Sequence, residues 1–475
     1  MEFSVNHPIL FAFAGFLVAV VLAQSVYFLC KAIRRSKAIG MDQTKLRKTI
    51  RTAAIFTIAP AVSIVISVIT LSKSLGIPLP WLRLSVVGSL SYETIAAQNA
   101  LGAMGMTLGQ NDALNAQQYI NITLVMTISI MVGIWLVPVL AKKLLGGMSS
   151  LKQKDAKWSS IFQNSMFIGM IAAFLGYVFC DFGRLWSPVE GYSPTSGLIP
   201  VCVMAVSAVI MLVCGLLMRK PKLGWLSDYA LPISMVLGMA SAIPITAWLG
   251  EGGNVMKRNM NYMDSVHRDG RIWNIGVMIL LLFPVSLIFL FGTAPDWKAL
   301  GLGLLATAPM YWAVGIIETI SFVPMLGAGG SYLGFVTGNI SNLKLPCAMN
   351  ALEQNGVDAG SEEGELISTI AIATSSIVTT IIIFIGVVCI VPLTPILEAP
   401  VLEPAFAQML PALFGGLGVA LISKSWKIAI APILLMLVLF IFVPALNAGT
   451  VGIMVPVSVV FTIAVARVLY KKGVL

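Results

Sequence analysis

Charge is scarce in this chain: 11% of its 475 residues are charged, 58% are hydrophobic, and the mean hydropathy is +0.93. That balance cannot clothe a soluble surface, and long apolar runs recur along the whole length, as in polytopic membrane proteins. No polar stretch could form a soluble domain, because the largest, residues 251–272, is too short to bury a core of its own. The six cysteines (Cys30, Cys180, Cys202, Cys214, Cys347, Cys389) are scattered without a CxxC pair, which reads as membrane packing and not as disulfide or metal chemistry. Of the two histidines, His7 lies near the terminus and His267 in a polar loop, so neither suggests a proton relay. GxxxxGK[ST], HExxH and a GxSxG in strand–turn–helix context are all missing, and the "GAGG" of 327–330 has no βαβ unit around it. The expectation is therefore no enzyme, no catalytic residue, no nucleotide and no cofactor, with Na⁺ left open as a coupling ion. A formal charge of +10 does not signal nucleic acid, since the basic residues fall in short loops beside apolar spans.

What is present is a series of about twelve apolar runs of spanning length, judged by the ~20-residue rule. They lie at about 9–31, 51–73, 118–141, 159–180, 197–218, 228–249, 273–293, 300–322, 366–393, 404–422, 428–446 and 450–470. The first run follows no basic segment and has no small-residue cleavage site, so it reads as a retained helix. "KAIRRSKAIGMDQTKLRKTIR" holds eight basic residues and one acid, and "KKLLGGMSSLKQKDAKW" holds five and one. Residues 31–50 and 142–157 are thus expected in the cytoplasm and the N-terminus outside. The acidic "LTPILEAPVLEPAF" suits the outside and Lys424, Lys427, Lys471 and Lys472 the inside. These placements conflict by one crossing near 228–272, most simply because "LPISMVLGMASAIP" does not fully cross.

The halves resemble each other. Residues 69–101, "ITLSKSLGIPLPWLRLSVVGSLSYETIAAQNAL", lie without gaps over 320–352, "ISFVPMLGAGGSYLGFVTGNISNLKLPCAMNAL", with eight identities that include Asn99 over Asn350. Leu231–Trp248 also echoes Leu410–Trp426. The implied organisation is all-α with two repeats in inverted orientation: residues 1–250 with a polar broken segment at 76–110, a connecting loop at 251–272, and residues 273–475 with a broken segment at 323–360. An apolar span that runs into a Gly/Pro-broken polar segment is the pattern of a re-entrant or discontinuous helix, which survives at membrane depth only where protein or a cavity satisfies its backbone.

On a helix over 91–100, Ser91, Thr94, Gln98 and Asn99 share one polar arc while Glu93 points away. The second segment offers Ser331, Thr337, Asn339, Ser341, Asn342 and Asn350, with glycines that let backbone groups turn toward an ion. These ten residues are the candidate solute contacts; interhelical bonding is the plainer alternative for each. Glu318 lies deep in an apolar run, which makes it a functional candidate by default, as an ion or proton carrier together with Glu93. The plainer alternative is a pairing of Glu318 with Lys344 or Arg83. Asp181 and Asp228 sit at span ends and read as interfacial.

"GIPLPWLRLSVVGSLSYETIAAQNALGAMG" and "LSDYALPISMVLGMASA" give the first ~250 residues a resemblance to an uncharacterised family of bacterial multi-pass membrane proteins, a domain of unknown function. Around "GFVTGNISNLKLPCAMNALEQNG" and "GSEEGELISTIAIA" the second half is similar to a companion hypothetical membrane protein. The resemblance implies a bacterial inner-membrane protein, a fusion of two subunits with a role in solute transport, and carries over no binding residue. The expectation is a secondary transporter for a small polar solute such as an amino acid, coupled to Na⁺ or H⁺. Its other partner is the bilayer, and a homo-oligomer is left open. A channel, a lipid-directed membrane enzyme and an assembly subunit are the rivals.

Overall fold

A computed structural model of the chain describes residues 3–106, 114–177, 198–217, 230, 233–241, 263–358, 361–390, 422, 426–443 and 451–473. The described residues form α-helices and one π-helical turn. In order they are α1 (Pro8–Ala38), α2 (Gln43–Leu75), α3 (Pro78–Ser85), α4 (Leu90–Gly102), α5 (Ala116–Lys154), α6 (Ala156–Tyr177) and α7 (Leu198–Leu217). Then follow α8 (Met263–Leu281), α9 (Phe283–Phe291), α10 (Trp297–Thr337), the π turn Ile340–Lys344, α11 (Leu345–Gln354), α12 (Glu362–Val388), α13 (Trp426–Phe442) and α14 (Val451–Lys471). The expected runs at 228–249 and 404–422, their LP-led echo and the acidic "LTPILEAPVLEPAF" lie wholly or largely outside the described residues, as do Asp181, Asp228 and the conflict over 228–272.

Among the described residues, six helical stretches are long and apolar enough to cross a bilayer: Pro8–Ala38, Gln43–Ile69, Ala116–Gly147, Val266–Phe291, Trp297–Ile320 and Glu362–Val388. Three shorter apolar helices accompany them, Val201–Leu217, Phe322–Thr337 and Trp426–Phe442. The chain is thus a multi-pass membrane protein. Large apolar side chains left exposed, among them Trp135, Phe289, Leu305 and Phe442, suit a lipid-facing surface.

Local chemistry fixes the helix starts. The Asp42 carboxylate accepts from Thr44 N at 2.8 Å, Asp296 accepts from Lys298 N and Ala299 N, and the Ser361 hydroxyl accepts from Gly364 N, each satisfying N–H groups that a helix leaves unpaired. Packing then depends on small residues that let backbones approach. α10 runs along α5, where a Cβ on Gly315 would stand 3.2 Å from Gly133 N. α12 packs on α2, with Gly386 against Val65, and on the second part of α10, with Gly329 against Thr369 and Gly330 against Ile372. On the flank, α6 packs on α13 and α14, with Gly176 against Met436 and Gly169 against Val459.

The chain is interrupted at four places in the centre. The chain turns at Gly76 (φ 71°, ψ 169°) between α2 and α3, and at Gly327 (φ 72°, ψ −176°) inside α10. It breaks again between α3 and α4, where Val87 has φ 71°, and after α10, where Gly338 has φ 65° and Asn339 φ 49°. These breaks position the site.

Candidate functional site

Each interrupted segment forms a hairpin. The first consists of α3 and α4, and its base lies beside the N-terminus: Ile77 N donates to Asn6 Oδ1 at 2.8 Å, and Phe3 stacks near Tyr119 at the start of α5. The second consists of residues 328–337, the π turn and α11. Its base lies at the other end of α2, where Asn355 Nδ2 donates to Thr49 Oγ1 at 3.0 Å. Ala328 N, at the start of this hairpin, donates to the buried Glu365 carboxylate at 2.9 Å, which places an anion at a helix N-terminus where its charge is favoured.

The two tips touch. Val87 N donates to Val336 O at 2.9 Å, Asn339 N donates to Gly88 O at 3.2 Å, and Asn339 Nδ2 donates to Leu84 O at 3.2 Å. Leu84 and Val336 close helices whose last carbonyls have no partner of their own, so each break supplies donors to the other. Asn is suited to this place because it tolerates the left-handed conformation. A Cβ on Gly338 would stand 2.7 Å from Gly88 O, so only glycine permits the contact. Val87 is a β-branched residue in the same positive-φ region, an observed strain of the kind that marks functional segments.

Two buried cations flank the tips. Arg83 on α3 and Glu93 on α4 form a bidentate pair, Nε to Oε2 and Nη2 to Oε1, both at 2.9 Å, and Nη2 also donates to Met126 O at 2.8 Å. Both side chains are essentially inaccessible, at 0% and 1%. Lys344, also 0% exposed, donates from Nζ to Thr379 Oγ1 on α12 at 3.3 Å. One turn earlier on α12, Ser376 Oγ donates to Thr337 Oγ1 at 3.1 Å.

The sequence-derived candidates distribute unevenly over this geometry. Asn339 is at the contact and Thr337 beside it, both buried, and Ser331 is buried with a hydroxyl that has no partner among the described residues. Asn350 is buried on α11 and accepts from Gln354 Nε2 at 3.2 Å. Asn99 instead reaches α10, donating to Thr307 Oγ1 at 3.2 Å, so the two equivalent asparagines have different partners and do not meet. Gln98 is exposed, and the buried side of α4 is the one carrying Glu93, Ala96, Ala97 and Ala100. The side chains of Ser91, Thr94, Ser341 and Asn342 lie outside those described. Glu93, read as an ion carrier, is held by Arg83.

Glu318 pairs with neither Arg83 nor Lys344. It is half-buried between α10 and α4, where Tyr92 Oη donates to it at 3.1 Å and Tyr311 Oη donates to Tyr92 O at 2.6 Å. His267 is not in a loop: it is buried in α8 with Nδ1 3.0 Å from Tyr332 Oη. The sequence offered Lys344 only as a partner for Glu318, and Thr379, Ser376 and Glu365 not at all. An ionisable residue within "SNLKLP" is as conspicuous as Glu318 in its own run, and that criterion would have found Lys344.

Outside the spans, Asp155 joins α6 to α14. Trp158 N and Tyr470 Oη both donate to its carboxylate, at 2.8 and 2.9 Å, and these bonds hold it below the usual carboxylate range. Among the described residues, no group of three or more His, Cys, Asp or Glu could hold a metal.

No curated protein matches the chain. Residues 6–239 match a protein family described as a domain of unknown function (DUF5058), a stretch that takes in the whole first hairpin and stops short of the second.

Proposed function

We propose that this protein is a secondary active transporter of a small polar organic solute, an amino acid or a related metabolite, in a bacterial inner membrane. The two hairpins are the core of an inverted repeat, entering from opposite faces and meeting at mid-membrane. The single observation that carries this reading is the mutual backbone contact of two broken helices whose bases lie at opposite ends of α2.

The repeat has further support in the backbone. In the gapless register of the sequence comparison, Gly76 falls on Gly327, Val87 on Gly338 and Gly105 on Gly356, and all six have positive φ. The turns ending the hairpins correspond as well: Gly105 N and Met106 N donate to Gly102 O and Leu101 O, and Gly356 N and Val357 N to Glu353 O and Leu352 O. Broken helices at a repeat interface are where transporters bind solutes and coupling ions, because unwound backbone and helix ends supply ligands there. With Glu93 committed to Arg83, Glu318 is the coupling carboxylate, for H⁺ or Na⁺, and Tyr92 its switchable donor.

The test is exchange. Liposomes containing the purified chain and preloaded with an unlabelled amino-acid mixture should take up the same labelled amino acids faster than unloaded liposomes. Equal uptake in both would mark a pore, and none in either would remove amino acids as the cargo.

A further inference from the structure

We propose that the hairpin contact is an anion site, built to take the carboxylate of a small organic acid on Lys344. The inference deepens the transport reading by naming the charge of the solute, and its test requires no transport.

The argument is one of charge and of unused donors on the two touching segments. Arg83 and Glu93 neutralise each other, whereas Lys344 has a hydroxyl as its partner and no carboxylate within ion-pair reach among the described residues. Glu365 is no substitute: it is fourteen residues before Thr379 on the same helix, a rise of roughly 20 Å. A fully buried ammonium without a counter-charge is costly, and a removable anion relieves that cost.

Unused donors are present on both segments. An ammonium has three protons to donate, and Thr379 takes one. Arg83 Nη1 and Ser85 Oγ are buried without a partner among the described residues. Ser85 adjoins Leu84, whose carbonyl takes the Asn339 amide, and Lys344 N donates to Asn339 O at 3.2 Å, so Asn339 ties the two segments together. A carboxylate suits this set, since it has two oxygens and accepts only.

A reporter cysteine reads the field of this site directly. Thr337→Cys, in a chain whose six native cysteines are replaced, puts a thiol beside Ser376, one turn from Thr379. Thiosulfonate reagents of equal size, one sulfonate and one trimethylammonium, would be timed against it in detergent. With Lys344 in place the anionic reagent should react about tenfold faster relative to the cationic one than it does in Lys344→Met, and Lys344→Arg should keep the preference. If Thr337→Cys does not fold, Ser376→Cys reports on the same face. Equal ratios in wild-type and Lys344→Met backgrounds would make Lys344 a neutral packing residue and overturn the proposal, as would a thiol that reacts with neither reagent. Either result would leave the exchange experiment untouched, and failed exchange would leave this one untouched.

Discussion

Adding one methyl group to Gly338 tests the contact between the hairpins. The residue holds φ 65° and ψ −172°, a region open essentially to glycine alone, and forcing alanine into it costs ~1–3 kcal/mol. The new Cβ would also stand 2.7 Å from Gly88 O, 2.8 Å from Val87 C and 3.0 Å from Gly88 N. These are backbone atoms and cannot swing aside, so overlap adds ~1–3 kcal/mol. Gly338→Ala should therefore destabilise the protein by about 2–6 kcal/mol. Gly356→Ala is the control: its φ is 61°, yet a Cβ there meets nothing within 4 Å, and only the left-handed conformation is penalised, at about 1 kcal/mol. Denaturant titration of both variants in the same detergent, followed by the loss of monodisperse protein, gives the difference. An excess of at least about 1.4 kcal/mol for Gly338→Ala, tenfold in the folded ratio, is expected. Indistinguishable variants would mean that the tips do not touch, and the site would lose its foundation.

Arg83→Met should cost about 3–5 kcal/mol by stranding a buried carboxylate, and adding Glu93→Gln should recover much of it; a double variant as unstable as the single one would show that the pair is not coupled. Glu318→Gln should leave folded protein in the membrane while removing the pH or Na⁺ dependence of uptake, and unchanged dependence would take Glu318 out of the mechanism. Because the folded protein lowers the Asp155 pKa, the stability it contributes is present above the ordinary carboxylate pKa of about 4 and is lost as pH falls through the lower folded value. The protection of amides at the C-terminal end of α14, taken relative to their intrinsic exchange rate at each pH, should accordingly drop in acid, and Asp155→Asn should abolish that acid response; an unaltered response would assign it elsewhere.

Much of the architecture was legible because bilayers constrain sequence strongly. Apolar length alone marked α1, α2, α5 and α12, and glycine with polar residues between apolar runs marked both hairpins. Gly76 and Gly327, which the gapless register pairs, both have positive φ, a conformation that favours glycine. The site was less legible. Helical periodicity ranks side chains around an axis but does not say which arc faces protein, so it left open that the side of α4 carrying Glu93 is the buried one. Arg83 and Lys344 were weighed only as partners of Glu318, because a sequence lists charges without showing which ones meet. Asn99 and Asn350 fall on one another in that register yet bond different helices, because a sequence register carries no information on neighbours.

The interlock of the tips has a consequence for biosynthesis. The carbonyls of Leu84 and Gly88 receive their donors from Asn339, about 250 residues later in the chain. At 5–20 residues per second, the first hairpin waits roughly 13–50 s for the partner that satisfies its backbone. Through that interval its tip must stay hydrated or sheltered by other proteins, and the half that is made first is completed last.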